Sequence, residues 1–158
     1  MKAEHINAFI QPSINVLREF VGIGAQIGDL YAKDRMYSSH EVSVIIGVSG
    51  HISGAVIMSL NTDTALRLAG KMLGQDVPAF DEYAEAAICE LGNIIVGQAL
   101  ANLDRQGLDV NITPPTMVVE RKSSVRFAVS RVLKTLVVPL ETTLGQIELN
   151  ISLLEKIR

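Results

Sequence analysis

The longest helical pattern in the sequence covers residues 81–106 and sets the frame for the rest of the chain. Acidic residues stand near its start and Arg105 near its end, which is the charge distribution that a helix dipole favours. Gly107 is a candidate C-cap. Apolar residues recur within it at steps of three and four, as on the buried face of an amphipathic helix. The predicted core-facing stripe consists of Ile88, Leu91, Ile94, Ile95, Leu100 and Leu103.

The segments around this helix predict an α+β fold with a largely antiparallel sheet packed against helices. A first helix is expected over residues 6–21, with Pro12 marking either a kink or a start, and residues 25–40 are expected to form an irregular connection. A second helix is expected from the N-cap Asn61 to Gly74. Strands are expected at residues 41–48, 52–60, 116–121, 125–133, 135–140 and 145–154.

Two glycine-led apolar segments hint at an internal repeat. Residues 54–60 and 145–151 each begin with glycine and continue as a strand, and the segment before each predicts its hairpin partner. We therefore expect pseudo-duplicated halves that share one sheet.

Composition narrows the classes of function. A chain of 158 residues with 48% hydrophobic and 20% charged residues predicts one globular domain, residues 1–158. Cys89 is the single cysteine, which excludes an internal disulfide and fits a reducing compartment. No membrane-length apolar run and no signal-like start are found, so we expect a cytoplasmic protein without membrane contact. A net charge of −3 argues against nucleic acid as a partner.

One basic segment departs from this acidic balance. Residues 121–134 contain five cations and no acid, and two interpretations stay open: a solvated face of strands, or a docking patch for an acidic partner. The cations are Arg121, Lys122, Arg126, Arg131 and Lys134.

Several familiar chemistries lack their residues. Neither of the glycine-rich phosphate-binding motifs occurs, which argues against nucleotide binding. His5, His40 and His51 are far apart in sequence, so we expect no metal site. Cys89 has no histidine on the same helix to act as its base, which disfavours it as a nucleophile.

The second face of the long helix carries one carboxylate, Glu90, and one amide, Asn93, three positions apart and therefore side by side. One interpretation is an ordinary solvated face. Gly92, Asn93 and Gly97, however, all lower helix propensity, and close approach of another protein would explain that choice. The residues expected to contact this partner are the small ones on the same face: Ala86, Cys89 and Gly97.

Glu90-Leu91-Gly92-Asn93, followed after 21 further residues by Pro115, resembles the signature of the CheC/CheX/FliY chemotaxis phosphatases. A single signature copy and the flanking ICELGNI and ITPPT segments resemble the CheX branch most. The resemblance implies a CheC-like fold along nearly the whole chain. At Ala86 the sequence departs from the family, which often has Asp or Ser there, and this puts a supporting hydrogen bond in doubt.

The resemblance also implies an activity: dephosphorylation of a phosphorylated CheY-like response regulator. Asn93 would orient the attacking water and Glu90 would pair with a lysine of the regulator, which also supplies the Mg²⁺, so that this chain binds no cofactor. Pro115 would be a structural residue below the helix. A homodimer is expected from the family. The alternative is a non-catalytic interaction module of the chemotaxis or flagellar switch apparatus.

Overall fold

The computed structural model describes residues 2–34, 37–38, 40–119, 125–126 and 134–156. Three helices are found in these ranges: α1 (Ala3–Val16), which continues as one π-helical turn (Leu17–Val21), α2 (Thr62–Leu73) and α3 (Glu82–Arg105). The strands in the same ranges are β1 (Ala25–Ile27), β2 (Tyr31–Lys33), β3 (Tyr37–Ser38), β4 (Val42–Gly50), β5 (Ile52–Leu60), β6 (Val110–Ile112), β7 (Thr116–Val119), β8 (Val125–Arg126), β9 (Thr135–Thr142) and β10 (Gly145–Glu155).

An antiparallel sheet forms the centre of the molecule, with the strand order β1-β9-β10-β5-β4-β6. In addition β2 pairs with β9 and β7 with β4, while β3 and β8 form a separate small ladder. The hairpins β4–β5 and β9–β10 lie side by side, because β5 pairs with β10 in a register that places Val56 opposite Ile151. The predicted α+β class is confirmed. The duplication of the two halves stays a prediction.

The helices cover one face of this sheet. Alternate residues of the central strands, such as Val44, Met58 and Leu149, are almost completely buried and join the helices in one continuous apolar core. The residues between them point to the second face, where several buried side chains are polar. The sheet therefore has one apolar and one partly polar buried face, and α3 lies on the apolar one.

Helix α3 begins and ends close to the predicted positions. The Asp81 carboxylate accepts a hydrogen bond from the Ala84 amide at 2.9 Å, and Gly107 takes a left-handed φ of 87° just beyond the end. Of the predicted stripe, Ile94 is half-buried and the other residues are buried. By length and composition α3 could cross a membrane, but half of its most apolar stretch is buried within this fold.

Two parts of the prediction were wrong. Residues 25–40 contain the strands β1, β2 and β3 instead of an irregular connection, and β6 was missed. Each of these strands has only two or three residues, too few for an alternating pattern, and β1 and β2 are held by pairing with β9. Strand β7 is described only as far as Val119, and most of the predicted strand 125–133 lies outside the described residues.

Candidate functional site

The exposed face of α3 presents Glu90 and Asn93 together. The Glu90 side chain is exposed and Asn93 is half-buried. The structure gives neither side chain a hydrogen bond or an ion pair with any residue it describes. One carboxylate and one amide thus stand on adjacent turns in the middle of the helix with their bonding capacity unused.

Gly92 allows α3 to lie close to the sheet. A Cβ atom at this position would meet Val44 Cγ1 at 3.0 Å and the Met58 side chain at 3.5 Å. Gly92 is buried and faces strands β4 and β5, so the interpretation that it admits a partner is wrong. The same interpretation fits Gly97, because a Cβ atom there would meet nothing within 4 Å.

The other predicted contact residues share the face of the Glu90–Asn93 pair. Ala86 is exposed, and Cys89 and Gly97 are half-buried. Because Ala86 has only a methyl group, position 86 supplies no side-chain hydrogen bond to the pair. These three neighbours of the pair have small side chains, which leave room for another molecule.

Cys89 is unsuited to nucleophilic attack. Burial raises the pKa of its thiol above the ordinary value, and the negative charge of Glu85 raises it further. The side chain is therefore a thiol at neutral pH, and the thiolate is the nucleophilic form. This agrees with the sequence-based expectation that Cys89 is not a catalytic nucleophile.

Pro115 lies immediately before β7, in the turn that joins β6 to β7. The turn is fixed to β4 at Thr113, whose Oγ1 accepts a hydrogen bond from the Gly47 amide at 2.8 Å. The Thr113 amide in turn donates to the Gly47 carbonyl at 2.9 Å. Both β6 and β7 contact α3, and Pro115 lies in the turn between them, while its structural role stays a prediction.

The acidic residues on and near the face cannot bind a metal by themselves. Within the ranges that the structure describes, no three His, Cys, Asp or Glu side chains are grouped closely enough to hold an ion. The arrangement can instead donate and accept hydrogen bonds through one amide and provide one negative charge. These are the means to complete a reactive centre on another molecule.

Tyr83 was not selected from the sequence. Its side chain is 66% exposed, and it lies seven residues before Glu90 on α3, which places it on the same side of the helix. The signal that could have found it is this heptad spacing between an aromatic residue and the carboxylate.

Comparison with known proteins identifies the family of the chain. The family model of chemotaxis phosphatase CheX matches residues 42–140, which include the whole of α3. A protein of Thermotoga maritima named CheY-P phosphatase CheX is 33% identical over 127 residues, 80% of this chain and 82% of that protein.

Two solved structures show the same fold. The chemotaxis protein CheX from Desulfovibrio desulfuricans superimposes with a TM-score of 0.84 at 23% identity, covering 97% of this chain and 99% of the other. The CheX of the CheX-CheY-BeF3-Mg²⁺ complex from Borrelia burgdorferi gives a TM-score of 0.79 at 27% identity, covering 98% and 100%. On the family match and the 33% identical relative, the chain belongs to the CheX family of chemotaxis phosphatases.

Proposed function

We propose that this chain removes the phosphoryl group from the aspartyl phosphate of a CheY-like response regulator. The observation that carries the proposal is that exposed Glu90 and half-buried Asn93 share one face of α3, with no bonding partner among the described residues. The names of the Thermotoga relative and of the Borrelia complex support the same substrate and partner.

Asn93 orients the attacking water. Phosphoryl transfer needs little covalent help from a protein, since the rate depends on an in-line water and on stabilised charge. The water oxygen bonds to phosphorus as the bond from phosphorus to the aspartyl oxygen breaks, which yields inorganic phosphate and a free carboxylate. A neutral water is held best by a group that both donates and accepts, and the amide does both.

Glu90 holds the helix in register on the regulator. Its exposed carboxylate forms a charge-assisted hydrogen bond with a lysine beside the acyl phosphate. Because Glu90 and Asn93 are on adjacent turns, fixing the first side chain aims the second.

The remaining parts of the reaction belong to the regulator. Mg²⁺ comes with the regulator, a role supported by the presence of CheY and Mg²⁺ in the Borrelia complex. We also propose that the 158 residues form one CheX-like domain, that the chain acts in the cytoplasm, where we expect its regulator, and that it forms a homodimer.

The test follows phosphate loss from a phosphorylated CheY-type regulator in the presence of Mg²⁺. We expect Asn93→Ala to lower kcat by at least about 100-fold, because the water loses its orientation. We expect Glu90→Ala to raise KM by about tenfold through the loss of a charge-assisted bond. The matched controls are Gln98→Ala and Glu85→Ala, exposed residues about 140° around the same helix from Asn93 and Glu90 respectively.

The outcomes separate the two candidate functions. An Asn93→Ala variant that accelerates dephosphorylation like the wild type excludes the proposed mechanism. A wild-type chain that binds the phosphorylated regulator without accelerating phosphate loss is instead the non-catalytic interaction module. Activity lost in both control variants would show a general effect of altering α3.

A further inference from the structure

Tyr83 is the most exposed large apolar side chain in the described part of the chain, at 66%. It belongs to the first turn of α3, just after the N-cap Asp81. The structure shows no hydrogen bond from its hydroxyl to any residue that it describes. The Tyr83 side chain therefore contributes little to the packing and hydrogen bonding of the described fold.

The position of Tyr83 relates it to the proposed site. Seven residues make two turns of helix, so Tyr83 lies about 10.5 Å from Glu90 along the axis and about 20° away around it. The exposed residue between them on this face is Ala86, which has no bulk to separate the ring from the carboxylate. A partner that reaches Glu90 and Asn93 therefore passes within reach of the ring.

The residue type also needs explanation at this position. Alanine would favour the helix more than tyrosine, and tyrosine leaves apolar area in water. Single exposed apolar residues are common, so the exposure alone indicates nothing. Tyrosine in line with a reactive pair is different, because tyrosine is enriched among the few residues that provide most of the affinity of an interface.

We propose that Tyr83 is a docking residue for the response regulator, with its ring packed on an apolar patch beside the regulator's acyl-phosphate site. This rests on the proposed function, since it assumes the same partner. Glu82, which is exposed and adjacent to Tyr83, favours a basic group of the regulator at the border of that patch. Tyr83 sets how tightly the regulator is held and leaves the chemical step to Glu90 and Asn93.

The test compares Tyr83→Ala and Tyr83→Phe in two assays. One measures kcat and KM with the phosphorylated regulator, and the other measures Kd for the regulator loaded with BeF3 and Mg²⁺. We expect Tyr83→Ala to raise KM and Kd at least about fivefold with kcat changed less than about twofold. We expect Tyr83→Phe, which keeps the ring, to stay close to the wild type.

The control is Leu30→Ala. Leu30 is 45% exposed in the segment between β1 and β2, at the sheet edge opposite to the β4 and β6 edge that contacts α3. We expect this variant to bind and turn over the regulator like the wild type. Thermal unfolding checks that Tyr83→Ala is folded, and since alanine favours helices we expect no loss of stability.

The outcomes distinguish this inference from the function on which it rests. If Tyr83→Ala keeps the wild-type KM and Kd while Asn93→Ala is inactive, Tyr83 is not a docking residue and the phosphatase mechanism stands. A fall in kcat alone would also contradict docking, and a Tyr83→Phe variant as weak as Tyr83→Ala would contradict packing by the ring. If Asn93→Ala is active as well, the proposed mechanism fails, whereas a wild type that does not accelerate phosphate loss would exclude the proposed function.

Discussion

Gly92 and Gly97 are five residues apart on α3, but Gly92 faces the sheet and Gly97 faces outward. Gly92 brings the helix close to Val44, and Gly97 leaves open space on the face of Glu90 and Asn93. Helix propensity treats the two positions alike, at a cost of about 1 kcal/mol each relative to alanine. Substitution by alanine should therefore separate packing against the sheet from contact with a partner.

We expect Gly92→Ala to lower the free energy of unfolding by about 1–3 kcal/mol, because the new methyl group lies 3.0 Å from Val44 Cγ1. Val44 cannot move away easily, since it is fully buried and its strand is paired on both sides. Urea unfolding of the wild type and the variant measures the change. A Gly92→Ala variant as stable as the wild type would show that the helix can shift on the sheet.

Gly97→Ala should have the opposite effect on stability. With nothing within 4 Å of the new methyl group, we expect the free energy of unfolding to rise by up to about 1 kcal/mol. Under the proposed function the same methyl group enters the interface, so we also expect a higher KM for the phosphorylated regulator. A more stable variant with an unchanged KM would remove Gly97 from the contact surface and leave the Glu90–Asn93 pair in place.

The sequence could predict the exposed pair but not the role of each glycine. Glu90 and Asn93 are polar residues opposite a clear apolar stripe, so their exposure follows from helical periodicity. Gly92 comes four residues after Ile88 and three before Ile95, both of which are buried, so it lies on the same buried face of α3. The predicted stripe was assigned from apolar side chains, and glycine has none, so the pattern did not include Gly92.

At the scale of secondary structure, length decided which elements could be predicted. The hairpin strands β4 and β5 have nine residues each, rich in Val and Ile, and α3 has 24 residues with recognisable caps. The missed strands β1, β2 and β6 have three residues each and gain their conformation from pairing with β9 or β4. This pairing depends on residues that are distant in sequence, so the local sequence of a short strand does not predict it.

The pairing of β5 with β10 depends on Gly54. Its φ of +147° is rarely adopted by other residues, and a Cβ atom there would overlap the Ser152 carbonyl on β10. We expect Gly54→Ala to lower the free energy of unfolding by more than about 3 kcal/mol or to prevent folding. Soluble yield and urea unfolding measure this effect.

Gly24→Ala is the matched control for this glycine. Gly24 is exposed, has no unusual φ and has nothing within 4 Å of the added methyl group. We expect the control to leave stability unchanged or to raise it by up to about 1 kcal/mol. Similar losses in both variants would mean that the general loss of glycine flexibility, rather than the β5–β10 contact, is responsible.

At the scale of the whole molecule, the second face of the sheet contains a buried polar cluster around Glu148. Tyr31 donates a hydrogen bond to Glu148 Oε1 at 3.2 Å, and His40 Nε2 lies 3.6 Å from Oε2. Lys33 Nζ donates to the Asn150 side chain on the same strand at 3.3 Å. These contacts connect Tyr31, Lys33 and His40 to the central strand β10.

The charge of Glu148 should make this connection depend on pH. His40 is the largest cause that lowers the pKa of the Glu148 carboxyl below its ordinary value of 4.5, and Lys33 and Tyr31 lower it further against the opposing effect of burial. At 3.6 Å the His40 contact is longer than an ordinary hydrogen bond, and it is an ion pair only when the imidazole is protonated. A lowered pKa in the folded state means that the carboxylate stabilises the fold above about pH 4.5, and that this contribution is lost as the pH falls.

Glu148→Gln tests this contribution, because glutamine keeps the shape and removes the charge. At pH 7 we expect the variant to be less stable than the wild type by about 1–3 kcal/mol, since the Lys33 ammonium then faces a neutral group. At pH 4, below the ordinary value of 4.5, the Glu148 carboxyl is protonated more in the unfolded chain than in the folded one, which favours unfolding of the wild type, so the difference should shrink. Glu141→Gln, at an exposed position on the neighbouring strand β9, should show little change at either pH. Urea unfolding at both pH values measures the two differences. An equal loss for Glu148→Gln at pH 7 and pH 4 would mean that shape and hydrogen bonding, rather than charge, hold Tyr31 and Lys33 against β10.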